Sequence, residues 1–348
     1  DEDIEVGGVE GGLPQLPAGL LQVITLNDDP TTWSTNDIAL DGLGVGYEPT
    51  DPEPEFVDIN ADDLAAVSLQ ENNTVAIVDL ATGAVTGFDA GTVDLVDVDT
   101  VEEDVISLTG SLDDVPREPD ALAWIGNDAV ATANEGDLFG GSRGFTVFGT
   151  DGTVEFDSGV DFEYLAVRSG HYPEGRSENK GSEPESIEYG VYGDSEYVFV
   201  GSERGSFIGV YLLVDGEPTN TQILPAPYGP EGLLAIPDRN LLIASGEEDD
   251  PSFGVRASIQ IYELQENTPA SYPHITSADV GGTPIPWSAL SALAAHPTDP
   301  NTLYAVWDSF YANSVIFTID VSSTPAVITD ALPITGASDL LDPEGLAI

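Results

Sequence analysis

The sequence predicts an all-β protein, a β-propeller of about six or seven blades with three to four antiparallel strands in each. Three observations predict it. Short apolar or alternating segments rich in Val, Ile, Tyr and Phe are bounded by turn pairs such as "TG", "DG" and "DR". A unit of Pro followed by an acid recurs, as "DPEPEFV" at 51–57, "PREPDAL" at 116–122, "GSEPESI" at 181–187, "YGPEGLL" at 228–234 and "LDPEGLA" at 341–347. Each of the first four leads into a strand, a polar turn, a second strand and another acid, at a period of about 45–65 residues that suits a propeller blade. A β-sandwich would not repeat one such phrase.

The elements follow in order. Residues 1–16 are acidic and Gly-rich and are expected to be loosely ordered, and 17–48 hold the outer strands of an incomplete blade, with "GLLQVITL" (19–26) as one of them. Blades then start near 53, 118, 183, 229 and 287. The fifth, "WSALSALAAHPTDPNTLYAVWDSFYANSVIFTIDVSSTPAV", keeps its strands without the Pro–acid start, and 342–348 open the first strand of a further blade. Either the two ends of the chain complete one blade together, or the chain is a segment of a longer polypeptide. No amphipathic helix is expected, and "DLVDVDTVEEDV" (94–105) reads as a solvated acidic loop.

Composition narrows the function. The 348 residues carry 63 acids against 8 bases, a formal charge of −55, with Lys180 as the single lysine. Phosphate backbones need a concentrated basic face, so nucleic acid is excluded as a partner. So acidic a surface repels itself at low ionic strength and is relieved at high salt, which points to a saline habitat. The absence of cysteine excludes disulfides, thiolate catalysis and Cys–Zn sites. No apolar run is long enough for a membrane helix. The "NNT" at Asn72 matches a glycosylation sequon, which chance also produces.

In each repeat one acid precedes the first strand and another follows the second: Glu55 with Glu71, Asp120 with Glu135, Glu185 with Glu203, Glu231 with Glu247. Antiparallel neighbours bring the start of one strand beside the end of the next, so both acids should reach one rim of the ring. Carboxylates crowded there raise one another's pKa until protonated or neutralised by a cation. Oxygen donors without His or Cys favour a hard ion, Ca2+ over Zn2+ or copper. The alternative is plain turn chemistry, with Pro setting φ and the acid bonding nearby backbone N–H groups. A second cluster, "VRSGHYPEGRSENKGSEPE" (167–185), holds Arg168, His171, Arg176 and Lys180, and Arg143 and Arg204 lie beside blade turns. Basic groups near a metal are a common way to hold a phosphoryl group; pairing with neighbouring acids would explain them equally.

The stretches "EPEFVDINADDLAAVSLQENNTVAIVDLATGAV", "EPDALAWIGNDAVATANEGD", "SRGFTVFGTDGTVEFDSGVDFE", "RSENKGSEPESI" and "YVFVGSERGSFIGVY" resemble the choice-of-anchor I domain of secreted bacterial and archaeal proteins. From "WSALSALAAHP" to "DPEGLAI" the chain is similar to the family with esterase-like activity of phytase. These resemblances imply a secreted or surface-attached propeller connected with phosphoester hydrolysis. Carried over, the "ANEGD" motif falls on Ala133 to Asp137, which adds Asp137 to the acids, the basic motif on Arg176 to Gly181, and "PEG" on Pro230 to Gly232 and Pro343 to Gly345, which adds Glu344. Ser186 stands where glycine is usual, and blade five lacks its Pro–acid start. The resulting expectation is a calcium-dependent phosphoester hydrolase of the cell surface or its surroundings. Glu55, Glu71, Asp120, Glu135, Asp137, Glu185, Glu203, Glu231, Glu247 and Glu344 would hold the metal, and Arg143, His171, Arg176, Lys180 and Arg204 the phosphate. The alternative is a non-catalytic module whose acidic face binds a protein, a glycan or a mineral cation.

Overall fold

The computed structural model describes residues 13–252, 254–265, 268, 270–336 and 341–348. Most of the acidic start, 1–16, lies outside them. The protein is an all-β propeller. Blade one has the strands Pro54–Ile59, Leu64–Leu69, Thr74–Asp79 and Ala84–Asp89; blade two has Leu122–Ile125, Ala129–Asn134, Gly144–Gly149 and Val154–Asp157. Blade three has Pro184–Tyr192, Ser195–Ser202, Phe207–Val214 and Glu217–Pro225, and blade four has Pro230–Ile236, Leu241–Gly246 and Ser258–Glu263. Within each blade every strand pairs antiparallel with the next in sequence. Alternation of period two gives each sheet two apolar faces, and both must be covered.

The coverage is blade on blade. The first strands of blades one, two, three and four contact one another in turn, so they are the inner strands of the ring. Blade one buries Ala66, Val75 and Ile77 against Leu122, Trp124 and Phe148 of blade two. Blade three buries Phe199, Ile208 and Val210 against Leu242 and Ala244 of blade four. A hairpin, Leu20–Thr25 with Ser34–Ala39, lays Leu21 and Val23 on the other face of blade one. A fifth sheet, ordered Ile275–Ser277, Ala326–Pro333, Val315–Asp320, Thr302–Trp307, Leu290–Ala295, shares the largest core with blades two and three. Residues 342–348, expected to open a further blade, form no strand; the carbonyl of Pro343 accepts the Ser291 hydroxyl at 3.0 Å.

Two local expectations are corrected. Asp161–Ser169, "DFEYLAVRS", is an α-helix that buries Phe162, Ala166 and Val167 in the core and stops at Gly170, whose left-handed φ of 72° terminates it. At nine residues it is too short for its periodicity to stand out from the surrounding strands. The acidic stretch 94–105 is not a free loop: Thr92–Val98 is a strand paired with Gly110–Pro116, and Asp99 is buried. Among the described residues no helix is long and apolar enough to cross a membrane.

Most inner strands share a way of starting. The residue just before the first position has a left-handed backbone at Glu183 (φ 47°), Gly229 (φ 62°) and Ala289 (φ 42°), and in blade two Glu118 (φ 45°) lies a few residues ahead of Leu122. Then the pairing register slips, between Pro54 and Val57, Pro184 and Ser186, Pro230 and Gly232, and Leu290 and Ala292. Glu185, Glu231 and Ser291 are thus the extra residues of β-bulges, left out of the ladder and turned away from it.

Candidate functional site

Bulges place the first acid in blades one, three and four, Asp120 of blade two is held by its own N–H donating to Ala133 O at 2.9 Å, and backbone hydrogen bonds place the second acids. The N–H of Glu203 donates to Glu183 O at 2.9 Å, that of Glu247 to Gly229 O at 3.0 Å, and that of Asp308 to Ala289 O at 2.9 Å. Blade two closes one residue later, with Gly136 N donating to Glu118 O at 3.2 Å. Hairpin ends are thereby clamped at the mouth of the ring, and carboxylates gather there. Oxygens of Glu135, Glu185 and Glu203 lie within 4.8 Å of one another, as do those of Glu203, Glu247 and Glu248.

Electrostatics follow from crowding in a poorly hydrated place. Burial raises the Asp120 carboxyl well above its usual range, and the charges of Glu135, Glu55 and Glu231 add to the effect. Burial also raises Glu185, with its hydrogen bond to Glu203 and the charge of Glu135 acting the same way. Glu203, Glu135 and Glu231 are raised too, in each case chiefly by burial. Glu185 is thus held above the usual carboxylate range, and its Oε2 is buried without a hydrogen-bond partner. Glu71 is buried at the end of blade one's second strand, next to Gln70, whose amide donates to Glu135 at 2.9 Å. Glu344 stands exposed on the C-terminal segment, outside these groups.

Three of the five expected phosphate ligands converge on the same acids. Lys180 Nζ lies 3.0 Å from Glu135 and 3.6 Å from Asp137. Arg204 reaches Glu183 at 2.9 Å, Glu203 at 2.9 Å and Glu248 at 3.5 Å, and Arg176 pairs with the other Glu183 oxygen. The remaining two are structural. Arg143 is 1% exposed and donates to the carbonyls of Asp99, Ser177 and Asn179 at 2.7, 2.7 and 3.1 Å, with Glu163 at 3.6 Å. His171 is half-buried between Gly205 O, at 2.7 Å from Nδ1, and the Tyr272 hydroxyl, and burial lowers its pKa. Asn72 of the sequon is also buried, its side chain bound to Tyr47 O, Asp51 O and Glu53 N, so it is no glycan acceptor.

Sequence reasoning paired the acid after each Pro and missed the acid before it. Glu183 is fully buried and holds both Arg176 and Arg204. Glu118, equally buried, accepts the N–H groups of Asp137, Phe139 and Gly141 at 2.9–3.1 Å and so folds the "EGDLFGG" loop beneath Lys180. Gly181 of the basic motif has φ 62°, and a side chain there would press on the Glu163 carboxylate. The signal was present in the repeat, because "REP" and "SEP" put Glu at the same offset twice. Glu248 and Asp308 were also missed; both follow the second strand of their sheet.

No curated protein matches this chain. Among solved structures, a putative 6-phosphogluconolactonase of Bacteroides uniformis is similar at 12% identity and TM-score 0.45, over 91% of this chain and 80% of that one. Hydrazine synthase of Kuenenia stuttgartiensis is similar at 15% identity and TM-score 0.40, over 86% and 70%. Virginiamycin B lyase of Staphylococcus aureus is similar at 12% and 0.35, over 94% and 77%. Residues 47–140 and 138–215 match the family model of the choice-of-anchor I domain, and the likeness runs from the approach to blade one through the third strand of blade three.

Proposed function

We propose that this chain is a surface-associated propeller whose mouth binds a hard divalent cation of the calcium class. The observation that carries the reading is the convergence of Glu135, Glu185 and Glu203 oxygens within 4.8 Å, with one buried Glu185 oxygen lacking a partner. Donors that are all oxygen suit Ca2+, and a bound cation would offset the burial and mutual repulsion that raise the pKa values of these acids. The match to a choice-of-anchor domain supports a secreted or cell-surface setting. The charge of −55 supports a saline one, with thermal stability expected to rise with NaCl.

A phosphoester hydrolase is the second reading. It is favoured by Arg176, Lys180 and Arg204 meeting at the same acids, with side chains 35%, 21% and 39% exposed. Bound calcium would there polarise a phosphoryl oxygen and help ionise water. Each of these cations is already engaged by carboxylates, which supports the binding module ahead of the enzyme. Calorimetry with Ca2+ on chelator-treated protein tests the first reading: heat is expected with the native protein and none with a Glu185→Gln, Glu203→Gln double variant. Equal titrations would end it. Calcium-dependent turnover across a panel of phosphomonoesters and diesters, lost in Arg176→Ala, would establish the second.

A further inference from the structure

A cavity of about 480 Å³ opens between blades three and four, remote in kind from the acidic mouth. Its cause is topological. Blade three has four strands and blade four has three, so Glu217–Pro225 faces blade four where no fourth strand pairs with Ser258–Glu263 among the described residues. The walls are aromatic: Tyr192, Tyr197 and Phe199 come from blade three and Tyr262 from blade four. Tyr197 and Phe199 are nearly parallel, 23° apart with centroids at 6.0 Å.

Two tyrosine hydroxyls fix the opening from opposite sides. Tyr192 of blade three donates to Leu241 O of blade four at 2.7 Å, and Tyr262 of blade four donates to Pro225 O of blade three at 2.6 Å. The cavity is thereby preformed, which spares a ligand the cost of ordering it. Polar residues stand beside the aromatic ones. The side-chain amides of Gln222 and Asn240 and the hydroxyl of Tyr197 line the cavity, and none has a hydrogen-bond partner among the described residues.

We propose that this cavity binds a pyranose ring of a neutral saccharide. A pyranose presents apolar C–H faces and a girdle of hydroxyls in the ring plane; an aromatic wall with side-chain amides beside it offers a complement to both. The volume lies at the size of ordinary small-ligand sites and admits one or two rings. Glu263 lines the same cavity and the whole chain is strongly acidic, so uronic and sulfated sugars are repelled. This inference does not rest on the cation site.

Saturation-transfer NMR on the full chain, with cellobiose, maltose and lactose as probes and glucuronate as the anionic control, tests it. Transfer to at least one neutral disaccharide and none to glucuronate is expected, unchanged by calcium chelation. Gln222→Ala and Tyr197→Leu, on the rim and the wall, should each weaken binding about tenfold; Tyr197→Leu keeps apolar bulk and removes the ring face together with its hydroxyl. Circular dichroism and thermal melts verify that both variants are folded. Absence of transfer at millimolar sugar, equal transfer to glucuronate, or unchanged affinity in both folded variants would overturn the proposal. So would displacement of the sugars by an extended Val/Ile-rich peptide adding to the Ser258–Glu263 edge with higher affinity, because the cavity would then be a strand-docking cleft.

Discussion

The acids at the propeller mouth and those at its outer turns are the same residue types with opposite behaviour. Asp79, Asp151, Asp299 and Asp320 sit at hairpin turns, Asp151 and Asp299 exposed and the other two partly so, where nearby N–H and hydroxyl donors of Thr82, Thr153, Asn301, Thr302 and Ser322 lower their pKa values. Asp120, Glu135, Glu185 and Glu203 are raised, with burial first among the causes. The difference is environment: a turn donates hydrogen bonds to an ionised carboxylate, whereas the mouth withholds water and adds more negative charge. Outer acids therefore hold turns together, and mouth acids store electrostatic free energy that a cation can release.

The largest expected effect tests whether buried cations of the ring are structural. Arg143→Met leaves Glu163 with an unpaired buried charge and three carbonyls without their donor, and should cost about 3–5 kcal/mol in urea unfolding. A variant of native stability would remove the assignment of Arg143 to the scaffold. Next comes the cation. Calcium at about a hundred times its dissociation constant should stabilise the native protein by about 2.7 kcal/mol, and Glu185→Gln should abolish most of that gain.

A smaller effect is the pH profile without calcium. The mouth acids have folded pKa values above their unfolded ones, so their contribution is full below the unfolded value near 4.5 and is lost as pH rises through the folded values. Glu188, pushed up to about 7 mainly by burial, extends this loss toward neutrality. The outer acids run the other way: their contribution is present above 3.8 and is lost as pH falls through their lowered values. Thermal melts across pH 4–8 should thus slope downward without calcium and flatten with it. A rising profile without calcium would break the contrast. The smallest effect belongs to Asp79→Ala, which should lower the melting temperature slightly at neutral pH and leave calcium binding untouched.

Strand content was legible from side-chain alternation and the repeat from one recurring phrase, and the Pro–acid unit marks the bulged start of three inner strands. Gathering of Glu135, Glu185 and Glu203 was legible for the same reason: similar offsets in neighbouring hairpins reach one rim. The roles of Arg143 and His171 were not. A cation beside a turn looks alike in sequence whether it faces solvent or, as Arg143 does, three backbone carbonyls brought from positions 99, 177 and 179. Glu118 and Glu183 escaped notice because their value lies in a left-handed backbone and the donors it lets them collect, neither of which a composition pattern records.

The register slip at the start of the inner strands of blades one, three and four and of the fifth sheet separates what the ring needs from what its mouth can do. A residue that contributes no rung can be exchanged without realigning its neighbours, and the chain already displays the freedom: glutamate at 185 and 231, serine at 291. Charge, donor number and ion preference of this opening are therefore adjustable one position at a time, on a frame that never has to be rebuilt.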